Sequence, residues 1–201
     1  GMKYSFSEPL NRNIMRHLRF QYPTFMFSTP EFEIDEEGNP WWIAPRIVKT
    51  IGLFGGTDIA GAVLCNAVTG ESTYCELKDI PAWVDTVFTA DLIMEQYNYH
   101  GSLIHGFINS IFGQREVTRV TEGYNYIAMN DDVYMYTGVT SVNSDQSNLG
   151  FLLCNLRTKE THFYSAPGAT EEAAKISAQG EVQNLRYTAT FPLLLNIAGQ
   201  P

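Results

Sequence analysis

Residues 61–74 read GAVLCNAVTGESTY, and residues 150–163 read GFLLCNLRTKETHF. Setting Gly61 on Gly150, an offset of 89 (150 minus 61), matches Leu64 with Leu153, Cys65 with Cys154, Asn66 with Asn155, Thr69 with Thr158 and Glu71 with Glu160. Val63/Leu152, Ser72/Thr161 and Tyr74/Phe163 are conservative pairs. So dense a match over fourteen positions marks an internal repeat, which settles architecture before any single element does. Inside each copy an apolar run of strand length meets turn residues and then a second run, the pattern of a β-hairpin. The strand 62–67 turns at Val68-Thr69-Gly70 and returns over 72–77. Gly70 suits the left-handed position of a three-residue hairpin loop. Lys159 stands in its place in the second copy, so that loop is expected to differ.

Working outward, Leu10, Ile14 and Leu18 form a stripe at i, i+4, i+8, which predicts a helix capped by Ser7 with Pro9 in its first turn. Glu31 to Asp35 alternates, with Phe32 and Ile34 inward and the acids outward. Glu36 to Asn39 is a turn into Trp41–Ala44. A strand over 47–53 and a Gly55-Gly56 loop follow. Asp79 caps a short helix through Pro81, Ala82 and Trp83, and a longer helix starts after Thr89, with Gly101 and Gly106 as weak points. The second copy has a helix ending near Phe112 and strands around 117–120, 124–129, 133–142, 151–156 and 161–165. A further helix takes Thr170 as its cap, with Glu171 and Glu172 in its first turn where the dipole favours acids. Trp42-Ile43-Ala44 echoes Tyr126-Ile127-Ala128, and Leu18-Arg19-Phe20 recurs as Leu185-Arg186-Tyr187. The expected fold is α+β: two tandem modules, 1–88 and 89–180, each an antiparallel sheet with a helix packed on one face. Residues 181–201 read as the start of a third module or a C-terminal strand.

Composition bounds the function. The 201 residues carry 13 Lys+Arg against 22 Asp+Glu, a net charge of −9. That balance, without a basic run, argues against nucleic acid or anionic lipid as partner. Aromatic content of 13% tilts the prior toward sheet. No stretch approaches the roughly 18 apolar residues that span a membrane, and no signal peptide is read. Gly1-Met2 reads as a tag scar and the chain stops abruptly at Pro201, so an excised piece of a longer protein is expected.

Reactive groups give no catalytic pattern. His17, His100, His105 and His162 lack the i, i+3 or i, i+4 spacing of a metal pair. Cys65, Cys75 and Cys154 sit in apolar strand contexts that suit packing better than an activated thiolate. Cys65 and Cys75 flank one hairpin, which leaves a disulfide between them open. Asp131-Asp132 and Asp35-Glu36-Glu37 lack the alternating ligands of a calcium loop and read as solvated turns. Gly52 to Gly56 lacks the Lys and helix of a phosphate-binding loop, and no nucleophile elbow or dinucleotide fingerprint is present. No catalytic residue, metal or cofactor is therefore assigned. The remaining feature is aromatic: Trp41, Trp42, Tyr124 and Tyr126 are set at matching places in the two modules, Trp42 and Tyr126 on one face and Trp41 on the other. They are a candidate binding surface for a peptide or glycan, against core packing as the alternative. Exposed sheet edges offer a partner strand a second mode.

The stretch Asn66-Ala67-Val68-Thr69-Gly70-Glu71 resembles the end of a PepSY-type domain, where an Asp-Ala-x-Thr-Gly-Glu hairpin follows an apolar strand. Asn66 stands where that family has Asp; the second copy keeps Asn155, Thr158 and Glu160 but loses the Gly. Lys49 to Gly56 and Asn130 to Gly138 make the whole chain similar to the extracytoplasmic part of larger bacterial membrane proteins. The resemblance implies a small helix-plus-sheet (PepSY/cystatin-like) fold, membrane helices outside this segment, and a non-catalytic module that binds a protein or peptide partner or restrains a peptidase. It carries over no catalytic residues. Two other readings stand beside it: a structural spacer repeat of an envelope protein, and a hydrolase with its site between the modules.

Overall fold

The computed structural model describes residues 1–51, 55–103, 116–121, 123–142, 147–169 and 171–181. Among them lie three α-helices and two five-stranded antiparallel sheets, an α+β fold. The first sheet contains β1 (Met26–Phe27), β2 (Glu31–Ile34), β3 (Pro40–Ile51), β4 (Gly55–Asn66) and β5 (Ser72–Glu76) in the order β1-β3-β4-β5, with β2 also on β3. The second contains β6 (Thr118–Val120), β7 (Asn125–Met129), β8 (Asp132–Ser141), β9 (Ser147–Asn155) and β10 (Thr161–Ala169) in the order β10-β9-β8-β6, with β7 also on β8. Strand for strand the two orders are the same. The helices are α1 (Ile14–Gln21), α2 (Ala90–Leu103) and α3 (Glu171–Glu181). None is long and apolar enough, among the described residues, to cross a membrane. The chain divides into two compact units: Gly1–Leu92 with Met129–Val133 and Leu156–Lys159, and Ile93–Ala128 with Tyr134–Asn155 and Glu160–Pro201.

The repeat has a structural cause at its opening glycine and at its hairpin loop. Arg46 pairs with Gly61 and Ile47 with Ile59, so Ala60 bulges out of β4. Val139 pairs with Gly150 and Thr140 with Asn148, so Leu149 bulges out of β9. The two bulges are 89 residues apart, one position before the repeated glycine. A Cβ on Gly61 would lie 2.2 Å from the Cys75 carbonyl oxygen and 2.8 Å from the Tyr74 hydroxyl. A Cβ on Gly150 would lie 2.1 Å from the Tyr164 carbonyl oxygen and 2.9 Å from the Phe163 ring. The glycine that opens each repeat thus lets the aromatic that closes it lie against the backbone, a close approach that only a missing side chain permits.

The hairpin loops are alike, contrary to the expectation drawn from Lys159. Asn66 N–H donates to Glu71 O, and Asn155 N–H to Glu160 O, both at 2.9 Å, which closes a four-residue loop in each copy rather than a three-residue one. The fourth loop residue is left-handed in both, Gly70 at φ +80° and Lys159 at φ +65°. Gly70 is needed for room as well, because a Cβ there would lie 2.4 Å from the Tyr4 ring. Lys159 carries the cost of its Cβ, and within the first unit its ammonium pairs with Asp58 at 2.8 Å.

In the first unit α1 buries Ile14 and Leu18 against Trp42, Ala44, Val63, Cys65 and Ala67. Burial of one such aliphatic side chain is worth about 1.5–3 kcal/mol. The helix starts later than the stripe implied. Asn13 is the cap, its Oδ1 accepting Arg16 N–H at 3.2 Å. Leu10 lies outside it, in a one-turn 3-10 segment (Leu10–Arg12), 72% exposed. The helix ends at Gln21 because Pro23 forces Tyr22 out of the helical region.

Further expectations are corrected. Residues 40–51 form one strand, not two. Pro45 interrupts neither ladder, because its carbonyl accepts Ser28 N–H on the side where β1 gives way to β2, and no ladder donor is needed there. The facing of β2 is inverted: Phe32 and Ile34 are 44% and 60% exposed, while Glu31 and Glu33 are half-buried. On its acidic face the Glu33 carboxylate accepts the N–H groups of Asp85 and Thr86, whereas Phe32 on the other face meets the Trp42 ring and stays partly exposed. The short helix sits at Leu77–Asp79 as a 3-10 turn, ahead of Pro81. The echo of Trp42–Ala44 in Tyr126–Ala128 does not survive the strand order. Trp42 pairs with Cys65 on β3, and its counterpart is Met135, which pairs with Cys154 on β8. Tyr126 lies on β7, the equivalent of β2.

α2 follows Thr89, whose Oγ1 accepts Leu92 N–H at 3.3 Å, and belongs to the second unit from Ile93 on. It runs through Gly101 without a break. A Cβ at Gly101 would lie 2.3 Å from the Thr118 carbonyl oxygen, so this glycine is a packing requirement where α2 meets β6. Asn98 Oδ1 accepts Val120 N–H at 2.9 Å on the same seam. The helix end near Phe112, Gly106, the Thr170 cap and residues 182–201 lie outside the described residues.

Candidate binding surface

The four aromatics singled out from sequence are not equivalent. Trp42 is buried at 8% exposure; its indole N–H donates to Tyr4 O at 2.8 Å, and its ring meets Phe6 and Phe32 edge-on at 5.1 and 5.4 Å. It is a core residue of the first unit. Trp41, on the opposite face as alternation requires, is half-buried; its ring lies 5.8 Å from Trp83 and its N–H donates to Asp35 Oδ2 at 2.8 Å. Tyr124 and Tyr126 belong to the second unit, their rings 5.4 Å apart and Tyr126 50% exposed. Within the first unit, then, neither tryptophan is freely displayed.

Cys65, Asp35 and His17 are engaged in packing and turns. Burial pushes the Cys65 thiol up to about 11 and the Cys75 thiol up as well, the latter aided by the charge of Asp79. Neither is an activated thiolate at neutral pH. Cys65 pairs with Ser72 and Cys75 with Ala62 in the ladder, and the two are not joined in a disulfide. Burial raises the Asp35 carboxyl, but donors from Asn39, Trp41 and the Glu37 backbone outweigh it and hold it below its ordinary value. Asp35 is thus the latch of a turn. His17 Nε2 lies 2.7 Å from Gly70 O and docks the hairpin on α1. Among the described residues no three of His, Cys, Asp or Glu gather as a metal site; His105 lies outside them.

Glu33 departs furthest from ordinary behaviour. Its carboxyl is pushed up to about 7, chiefly by burial; the N–H donors of Asp85 and Thr86, at 2.9 and 3.1 Å, pull it down, and the charges of Asp85 and Glu31 push it up. The folded state therefore holds this proton more tightly than the unfolded chain. The resulting stability is complete below pH about 4.5 and is lost as pH rises to about 7. Because the group is partly solvated and screened, about 1–2 kcal/mol is expected over that window. Denaturant titrations of wild type and Glu33→Gln across pH 4–8 measure it. The wild-type midpoint falls with rising pH and the variant's stays nearly flat; parallel curves contradict the assignment.

Three features of the first unit were not anticipated. Arg46 is stacked, its guanidinium 4.0 Å from the Phe25 ring centroid and 5.4 Å from that of Tyr74. Tyr74 in turn donates to the carbonyl of the bulged Ala60 at 3.1 Å, so this cluster fixes the bulge. The exposed apolar side chains are the second feature: Leu10, Phe20, Met26, Phe32 and Ile34. The third is a shallow groove of about 380 Å³ on the solvent face of α1, lined by Asn13, Met15, Arg16, Arg19 and Phe20. The sequence held a signal for it, since residues 9–30 contain three arginines and no acid. The chain matches no family model, no curated protein and no solved structure.

Proposed function

We propose that the chain is a non-catalytic interaction module built from two PepSY-like repeats, an extracytoplasmic part of a bacterial membrane-anchored protein that holds a protein or peptide partner or restrains a peptidase. The observation that carries the reading is the contrast on the first unit. Its candidate reactive side chains are engaged in packing and turns, while large apolar side chains, Phe20 at 68% exposure and Ile34 at 60%, face solvent. Solvent-facing aromatic and aliphatic anchors beside arginines are the composition of a protein-recognition surface. The PepSY-like character rests on the hairpin. Asn66 Oδ1 accepts the N–H groups of Val68 and Thr69 at 2.9 and 3.0 Å, the office that an Asp would fill at that position. The spacer reading has one observation in its favour, the identical strand order and bulge of the two sheets.

A photo-crosslinking residue placed at Phe20 or Ile34, exposed to bacterial envelope extract, tests the proposal together with a panel of peptide, ester and glycoside substrates. A discrete crosslinked partner and no turnover are expected. Turnover of any substrate by the purified chain, removed by substitution of one of its own side chains, sinks the non-catalytic reading. A chain that crosslinks to nothing favours the spacer.

A further inference from the structure

We infer that the solvent face of α1 is a docking surface for an acidic peptide segment carrying an apolar anchor; the inference rests on the interaction-module reading and names the chemistry of its partner. Charge segregation is the first ground. Residues 9–30 hold Arg12, Arg16 and Arg19 and no acid, leaving ten basic residues against all 22 acids elsewhere, a balance of −12. Placement is the second. With Ile14 and Leu18 buried, the 100° step of the helix sets Arg16, Arg19 and Phe20 on the opposite side and Met15 on its flank, where they line the groove with Asn13. Arg12, Arg16 and Arg19 are exposed and in no ion pair among the described residues. The Arg16 guanidinium lies 5.1 Å over the Phe20 ring, leaving that ring 68% exposed. Leu10, next to this helix, is 72% exposed and held at φ +50°, a conformation that costs a branched side chain energy. Two forked guanidiniums beside an exposed ring fit carboxylates flanking an apolar side chain.

The same facts favour a peptide over a membrane surface. Lipid-binding helices bury a broad apolar face and bring four to eight basic residues. The apolar stripe of α1 is already spent on the sheet, and its solvent side brings three arginines, short of the basic cluster a bilayer surface needs.

The probes are a fluorescent EEFEELEE peptide, its KKFKKLKK counterpart, and phosphatidylglycerol vesicles, each titrated against the intact chain by anisotropy or co-sedimentation. The acidic peptide binds, the basic one does not, and affinity falls with added salt. Arg16→Glu/Arg19→Glu weakens binding by on the order of tenfold or more, and Phe20→Ala by several-fold, with circular dichroism and melting unchanged because these side chains are exposed. No peptide binding, equal binding by the double variant, or stronger binding to vesicles overturns the inference. The crosslinking experiment separates the two levels. A partner captured equally by wild type and the double variant refutes the α1 surface alone, whereas turnover refutes the module reading itself.

Discussion

Gly61→Ala and Gly150→Ala are each expected to destabilise their own sheet by about 1–3 kcal/mol, as cores that are forced to accept an extra carbon do. The added carbon would stand 2.2 Å from the Cys75 carbonyl oxygen in one case and 2.1 Å from the Tyr164 carbonyl oxygen in the other. Both obstacles are backbone, so the chain must move rather than a side chain turn. Relief requires β4 to part from β5, or β9 from β10, at the bulge that aligns the hairpin. Chemical denaturation of the two variants reads the effect. Comparable losses are expected, because the two glycines do the same work; a normal midpoint for Gly150→Ala would remove the second bulge from the account.

Trp42→Ala is the second large effect, at about 3–5 kcal/mol. The substitution empties the centre of the cluster joining α1 to the sheet and leaves the Tyr4 carbonyl without its indole donor. Tyr126→Ala is expected to stay within about 0.5 kcal/mol, since its side chain is half exposed on an outer strand. Thermal melts of the two single variants make the comparison. Equal effects would restore the equivalence that the sequence echo suggested and the register denies.

The duplication was legible where a matched residue meets a local backbone demand: a glycine at a close approach, and in the first copy an Asn whose side chain caps the loop. Such demands are written in residue type. Facing on β2 was not legible, because alternation reports a period and not which side is covered; Phe32 and Ile34 alternate perfectly and still face solvent. The start of α1 was missed for a similar reason. Leu10 continues the i, i+4 stripe, but its backbone stands at φ +50°, outside the helical region, and the helix begins only after the Asn13 cap. The equivalence of Trp42 and Tyr126 was misread on register: they share a tripeptide echo but occupy strands with different neighbours. The basic face of α1 was visible as an absence of acids over 22 residues, a signal that total net charge conceals.

A crystal structure of the chain tests the central claim most directly, by superposing β1–β5 on β6–β10. The account predicts that Ala60 falls on Leu149 as a bulged residue, Cys65 on Cys154 in the ladder, and Gly70 on Lys159 in the left-handed position. A second sheet shifted by one residue, with Leu149 paired in the ladder and its side chains turned to the other face, would contradict it.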